Sequence, residues 1–334
     1  MSVANWPKLH GRHFVSTRVL VTGGAGFIGS HLVEALATLG AEVVVLDDLS
    51  GGSRENVELF RTLASNQVSF IKGSILDQSL LADSVCGCNY VFHLAALGSV
   101  SRSVVEPAQF VDVNVAGTLN VLEASRAAGV RRVMFAASSS AYGDTCDAGP
   151  KIETMPPRPQ SPYAATKLAG EALVHAYSAS YDLDTAALRY FNVFGPRQNS
   201  NVSYAAVIAS FAKALIEGRR PVIYGDGEQS RDFTFVDNAV HANLLAARCD
   251  RPIRGQTINI ACGKCITVNE LAKQIAQYFG QSGLEPVYKS PRAGDVTHSL
   301  ADLTRAKVAI AYHPIVEFAP GLHQTVAWYR VNLS

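Results

Sequence analysis

A chain of 334 residues with 29 Lys and Arg against 28 Asp and Glu, 48% apolar and 17% charged, makes one large globular body or two small ones. Its net charge of +1 supplies no long-range field to gather a polyanion, which excludes a nucleic-acid or anionic-membrane partner held by bulk charge. The apolar content excludes disorder.

No uninterrupted apolar run approaches the ~20 residues of a bilayer span. The opening MSVANWPKLHGRHFVS has no stretch that could act as a secretory core, so the expected address is the cytoplasm. Six cysteines (Cys86, Cys88, Cys146, Cys249, Cys262, Cys265) are too scattered for a disulfide scaffold and are expected as free thiols. Cys262-Gly263-Lys264-Cys265 is a lone CxxC without the four ligands of a structural zinc site, and no metal is expected.

From Arg18 onward short β-branched runs alternate with helical stretches. Strands are expected at 18 to 22, 42 to 47, 68 to 72, 90 to 95, 132 to 138 and 185 to 191, as near-continuous apolar runs covered on both faces. The first intervening helix shows apolar residues at Ile28, Leu32, Leu36 and Leu39. Parallel strands joined by crossover helices describe an α/β, doubly wound sheet. After about Asn192 the regularity breaks. A helix is expected over about 203 to 217, a Gly-rich turn at Tyr224-Gly225-Asp226-Gly227, a helix near 236 to 247, a strand near 256 to 261 and a final helix near 267 to 280. The size suits a cofactor domain over 14 to 192, with return segments about 233 to 263, and a smaller C-terminal α/β lobe over 193 to 232 and 264 to 331 that closes over something.

Thr22-Gly23-Gly24-Ala25-Gly26-Phe27-Ile28-Gly29 follows a strand and opens a helix. In that setting one glycine permits the tight turn, one lets backbone N–H groups approach a pyrophosphate at the positive helix end, and one lets helix and strand pack closely. Asp47 ends the second strand about 20 residues on, where a carboxylate accepts bonds from ribose hydroxyls and repels a 2′-phosphate, favouring NAD over NADP. Farther along, Tyr163 and Lys167 stand four apart where a helix begins after Pro162, so phenol and ammonium share one face. Ala137-Ser138-Ser139-Ser140-Ala141-Tyr142-Gly143 closes the fifth strand, at the sheet edge where open α/β proteins hold ligands. A phenol is a poor base at neutral pH, but a nearby ammonium and an oxidised nicotinamide ring favour phenolate. Tyr163 could then take a proton from a sugar hydroxyl, with Ser138 on the same oxygen and Lys167 tuning the phenol and holding the nicotinamide ribose.

These residues resemble the extended short-chain dehydrogenase/reductases, and within them the nucleotide-sugar 4-epimerases. TGGAGFIGSHL, LDDLS, FHLAA, SSSAYGD, YAATK, LRYFNVFGPRQ, GDGEQSRDFTFVDN and PRAGDVTHSLAD follow that family's order from about Arg18 to about Asp302. The resemblance implies an NAD(P)-binding Rossmann fold and a tightly held NAD that oxidises a UDP-sugar at C4. The 4-keto sugar turns over in the pocket and receives the hydride on its other face. It implies the catalytic set Ser138, Tyr163 and Lys167. It implies cofactor contacts from Gly23, Gly26, Phe27, Ile28, Gly29, Asp47, Asp48, Ser50, Ser74, Ile75, Leu94, Ala95, Ala96 and Tyr190, beside Tyr163 and Lys167. Asn192, Arg231 and Arg292 resemble the positions that hold the substrate diphosphate, where guanidinium forks suit phosphate. Tyr224 resembles the aromatic that packs on uracil, and Asp295 the acid at the ribose. Ser99, Val100, Ser139, Ser140, Ala206 and Val207 fall at further substrate positions. A homodimer through helices spanning about 107 to 128 and 162 to 180 is likewise implied.

Two absent carboxyl motifs narrow the chemistry. Dehydratases of this kind carry an Asp-Glu pair after the catalytic hydroxyl and decarboxylases a Glu two before the Tyr-Gly; here Ser139 and Ser140 stand instead. The family's Gly-Asp after the third strand is Gly73-Ser74, whose hydroxyl could still accept from the adenine amine. Ser299 aligns with a pocket wall that is bulky in epimerases restricted to UDP-glucose and UDP-galactose and small where a 2-acetamido group is accepted. The expectation is a 4-epimerase of UDP-N-acetylglucosamine and UDP-N-acetylgalactosamine, with UDP-glucose and UDP-galactose or the uronic pair as further substrates. A UDP-glucose 4-epimerase, a nucleotide-4-ketosugar reductase and a catalytically silent NAD-sensing protein stay open as alternatives.

Overall fold

The computed structural model describes residues 4–63, 67–144, 149–198, 207–291 and 297–332. In chain order they form α1 (Trp6–His10), β1 (Arg18–Thr22), α2 (Phe27–Thr38), β2 (Glu42–Asp47), α3 (Arg54–Thr62), β3 (Val68–Lys72), α4 (Gln78–Val85) and β4 (Tyr90–His93). Next come α5 (Val100–Val105), α6 (Pro107–Val111), a π-helical turn (Asp112–Ala116), α7 (Gly117–Ala127), β5 (Arg132–Ser138), α8 (Pro162–Ser180) and β6 (Asp184–Tyr190). The remainder is β7 (Val193–Phe194), α9 (Val207–Ile216), β8 (Val222–Tyr224), β9 (Ser230–Asp232), β10 (Thr234–Phe235), α10 (Val236–Arg248), β11 (Gln256–Ile260), β12 (Cys265–Thr267), α11 (Val268–Tyr278), β13 (Val287–Lys289), β14 (His298–Ser299), α12 (Thr304–Ile310) and α13 (Phe318–Asn332).

The main sheet has seven strands in the order β11-β6-β5-β4-β1-β2-β3, every pairing parallel. Val19, Leu20, Val21, Val91, Phe92, Val133 and Met134 are fully buried because helices cover both faces. Strand order reverses between β1 and β4, so their C-terminal ends open a crevice. A second core joins Phe194 and Phe235 to residues of α9, α11 and α13. Phe27 and Ile28, in the first turn of α2, pack against it, and Ile28 touches the sheet's core as well.

Several elements differ from the sequence expectation. The helix expected over about 107 to 128 is broken: α6 and α7 flank the π turn, in which one extra residue per hydrogen-bonded ring shifts the register. The strand expected to reach 95 stops at His93, whose pairing with Thr22 ends in the Leu94 N–H to Thr22 carbonyl bond at 3.0 Å. The helix near 267 to 280 is not the last, since α12 and α13 follow it. Of the helix expected over 203 to 217, residues 207 to 216 are described. Ahead of β1 lies an arm whose Trp6 and His10 are buried. His10 Nε2 sits 3.0 Å from His241 Nδ1 on α10, and Arg248 donates to the Leu9 carbonyl.

Candidate active site

The glycine loop turns tightly at the crevice. Gly23 has φ +71°, and a Cβ there would lie 2.6 Å from the Ala95 backbone nitrogen, so only glycine lets the loop press against the β4 exit at Leu94 and Ala95. A Cβ on Gly29 would meet the Gly23 carbonyl at 2.2 Å, which explains the close seating of α2. Gly26 caps α2 with no side-chain hydrogen bond, so no capping side chain occupies the first-turn N–H groups of Phe27, Ile28 and Gly29. That is the donor arrangement a pyrophosphate needs. Asp47 Oδ2 accepts from Ala25 N at 2.9 Å and Oδ1 from Leu49 N at 2.8 Å. Burial raises this carboxyl's pKa while those backbone donors oppose the shift. With Gly26 N as a further backbone donor, the carboxylate still has acceptor capacity for a ribose hydroxyl.

The other proposed cofactor residues surround the loop unevenly. Asp48 Oδ1 accepts from Ser50 N at 2.8 Å in an exposed turn, and Ser74 Oγ accepts from Leu76 N at 3.2 Å. Ile75 is buried, and a Cβ on Gly117 of α7 would touch it, so its side chain supports the helix. Leu94, Ala95 and Ala96 line the β4 exit, half-buried. Tyr190 pairs in register with Ser138, but its phenol accepts from Asn243 at 2.7 Å, leaving its backbone as the part that faces the sheet end.

Ser138 ends β5 and caps the 3₁₀ turn Ser139–Tyr142. Its Oγ accepts from Ser140 N at 3.2 Å and from Ser140 Oγ at 2.9 Å. The Ser138 side chain also acts on the Tyr163 phenol, in the direction that favours phenolate. Tyr163 and Lys167 lie in the first turns of α8, which starts there because Ser161 caps it and Pro162 occupies its first position. Burial raises the phenol's pKa, outweighing the Ser138 bond. Burial also lowers Lys167 to about 8, against the opposing field of Glu171. Lys167 Nζ donates to the Ala136 carbonyl at 2.9 Å. Behind it Glu171 and Arg189 form a buried bidentate pair at 2.8 and 2.6 Å.

On the substrate side, Arg231 of β9 pairs in register with Ser299 of β14, so both side chains share a face. Arg231 Nη1 donates to the Ser230 carbonyl at 3.0 Å, and Ser299 is buried. Asn192, at φ +36°, donates through Nδ2 to the Asp232 carbonyl at 3.3 Å. The Tyr224 carbonyl accepts from Gln229 at 2.7 Å. Ser99 caps α5 through Arg102 N, Val100 opens that helix, and Val207 opens α9. Ala206, Arg292 and Asp295 lie outside the described residues.

Sequence reasoning missed several polar residues at this site. Asn114 projects from the π turn and is fully satisfied: Nδ2 donates to Leu97 O and Thr166 Oγ1, and Oδ1 accepts from Leu97 N. Lys151 donates to Gly143 O at 3.3 Å and, through its backbone, to Leu300 O at 2.8 Å, tying the Ser138 turn to β14. Asp232 accepts from the backbones of Cys262, Gly263 and Ala301, with burial raising it to about 6. The usable signal was a polar residue at an apolar position, as Asn114 is between Val113 and Val115.

Comparison with known proteins places this geometry in context. Residues 19–261 match the profile described as "NAD dependent epimerase/dehydratase family". A protein of Mycolicibacterium smegmatis named UDP-glucose 4-epimerase is 42% identical over 94% of this chain and 98% of its own length. Among solved structures, the UDP-N-acetylglucosamine 4-epimerase of Methanobrevibacter ruminantium, in complex with UDP-N-acetylmuramic acid, superposes with a TM-score of 0.89 at 40% identity, covering 95% of this chain and 99% of that one. The Thermus thermophilus UDP-glucose 4-epimerase in complex with NAD gives a TM-score of 0.82 at 36% identity, covering 94% of this chain and 99% of that one.

Proposed function

The chain belongs to the NAD dependent epimerase/dehydratase family, and from that premise we propose that it is an NAD-using UDP-sugar 4-epimerase acting on UDP-N-acetylglucosamine and UDP-N-acetylgalactosamine. The observation that carries the reaction class is the turn at Ser138: it brings Ser138 to Tyr163 and fills the neighbouring positions with the hydroxyls of Ser139 and Ser140. Elimination of water or loss of CO2 needs a positioned carboxyl to move protons there, whereas epimerisation at C4 needs only one proton taken and returned.

The residues divide the work accordingly. The Gly23 to Gly29 loop, the start of α2 and Asp47 would hold NAD, which supplies a hydride acceptor for C4 and gives the hydride back. Tyr163 takes the C4 hydroxyl proton, Ser138 donates a hydrogen bond to the oxygen that carries the growing charge, and Lys167 stabilises the phenolate by its charge. Arg231, with Arg292, would hold the diphosphate, so the sugar can turn over between the two hydride transfers without leaving.

The substrate pair rests on Ser299, whose short side chain stands beside Arg231 where a tyrosine would fill the space next to C2. The name of the M. smegmatis relative favours UDP-glucose and UDP-galactose as the second reading. Purified protein given UDP-N-acetylglucosamine should form UDP-N-acetylgalactosamine; no product there, with turnover of UDP-glucose, selects the second reading. Ser299→Tyr should suppress the acetamido pair by about tenfold or more while sparing UDP-glucose, and equal losses on both would sink the pocket argument. A homodimer is proposed too, supported by Val104, Val105, Val111 and Leu119, all exposed on α5, α6 and α7.

A further inference from the structure

His93 ends β4 as a buried imidazole on an otherwise apolar strand. Its Nδ1 lies 2.8 Å from Thr22 Oγ1, at the end of β1, and its Nε2 lies 3.0 Å from Thr118 Oγ1, on α7. Counting protons fixes the direction of these bonds. Thr118 Oγ1 has one proton and gives it to the Asn114 carbonyl at 2.6 Å, so it accepts from His93, and Nε2 carries the hydrogen. Burial, aided by the Lys167 ammonium, lowers the imidazole to about 3. Nδ1 is therefore bare and accepts from the Thr22 hydroxyl, which itself accepts from Ala95 N at 3.4 Å. From the π turn, Asn114 continues to Thr166 at 3.0 Å, and Thr166 Oγ1 donates to the Tyr163 carbonyl at 2.9 Å. One line of hydrogen bonds thus joins the backbone beside Gly23 to the helix that bears Tyr163 and Lys167.

We propose that His93 is a positioning residue of the epimerisation site: its Nε2–H tautomer bridges Thr22 and Thr118 and so sets the spacing between the glycine loop and the Tyr163–Lys167 helix. The proposal rests on the epimerase reading. Hydride transfer is steep in distance, so a loosened bridge slows chemistry more than it weakens substrate binding. The imidazole also packs against Phe135, tilted by 40° at 5.6 Å between centroids, and Lys167 Nζ lies 5.1 Å from the centroid of the Phe135 ring. Lys167, backed by Glu171 and Arg189, is the charged group that faces His93, and an imidazolium beside it would repel the ammonium.

Full-length protein labelled with 15N-histidine tests the tautomer directly. His93 should stay neutral and Nε2-protonated from about pH 5.5 to 8.5, a range in which an ordinary histidine changes charge. His93→Leu should lower kcat by about tenfold or more with a smaller change in KM, and His93→Gln, which keeps a donor and an acceptor, should recover most of it. Thr118→Val cuts the same link without touching β4 and should show the same kcat-over-KM pattern, which keeps the test decisive where His93→Leu fails to fold. Titration of His93 within that range, or wild-type kcat in Thr118→Val and in whichever His93 variant folds, overturns the proposal. A wild-type protein that turns over no UDP-sugar instead overturns the epimerase reading, while the 15N spectrum still decides the tautomer.

Discussion

As the proposed base, Tyr163 would have to give up its proton in surroundings that resist the loss. Burial raises its pKa, the Ser138 bond recovers part of the shift, and the remainder must come from positive charge nearby. Lys167 is the protein's own source of that charge. Lys167→Met therefore disfavours phenolate: the acid limb of the pH profile for kcat should move to higher pH, and kcat at neutral pH should fall by about 10²-fold or more. Tyr163→Phe should lose about 10²- to 10⁴-fold in kcat with the UDP-sugar dissociation constant unchanged, as followed by calorimetry; retained turnover would remove Tyr163 from its role as base. Ser138, Tyr163 and Lys167 were legible as candidates because their spacing survives in the linear sequence. Asn114 and His93 were not, because their meaning lies in what they bridge. His93 meets Thr22 from 71 positions away and Thr118 from 25, and no local pattern records such meetings.

Among the elements, β1, β2, β4 and β5 were legible because burial leaves near-continuous apolar runs, whereas the edge strand β3 is only partly buried. The π turn was not, since the apolar periodicity on either side of 112 to 116 continues past the extra residue. α13 carries Pro320 and Gly321, residues that ordinarily interrupt a helix. Pro320 falls in the first turn, where no intrahelical N–H is lost. Gly321 is required there, since a Cβ would sit 2.7 Å from the Phe235 ring. The glycine loop gives the sharpest test at this scale. Gly23→Ala must adopt a positive φ and push a methyl into the Ala95 backbone, which cannot rotate away as a side chain would. The variant should purify with little NAD, read by absorbance and by cofactor release, and should lose about 1–3 kcal/mol of stability in urea titration. Full NAD content in Gly23→Ala would show that the loop does not approach its ligand through this glycine.

For the whole molecule, protonation and assembly are the properties to measure. Burial lowers His10 and His93 to about 3, His241 to about 4 and His31 well below its ordinary value. The unfolded chain therefore binds more protons than the native one as pH drops below about 6.5, and stability falls with it. Asp232 works in the opposite sense: with a folded pKa of about 6 against an ordinary 3.8 it gives stability that is lost as pH rises through that window. With His13 also lowered, five histidines stand against three raised carboxyls, Asp47, Glu171 and Asp232, which leaves the acid side weaker, by about 1.4 kcal/mol per pH unit for each net proton. Urea midpoints should decline steadily from pH 7 to 5, and a flat profile would mean that these imidazoles are charged in the native state. Light scattering should give a dimer for the wild type and a monomer for Val111→Asp with Leu119→Asp; a monomeric wild type would remove the assembly proposal. The arm ahead of β1 also has an optical consequence. The chain has two tryptophans, and they report on different halves. Trp6 is sealed against the sheet's core, while Trp328 packs partly exposed on the core of α9, α11 and α13. Trp6→Phe and Trp328→Phe leave one emitter each, so a single fluorimeter can follow the two halves separately through a thermal ramp. Coincident curves mean that the halves melt as one cooperative unit, and separated curves rank them.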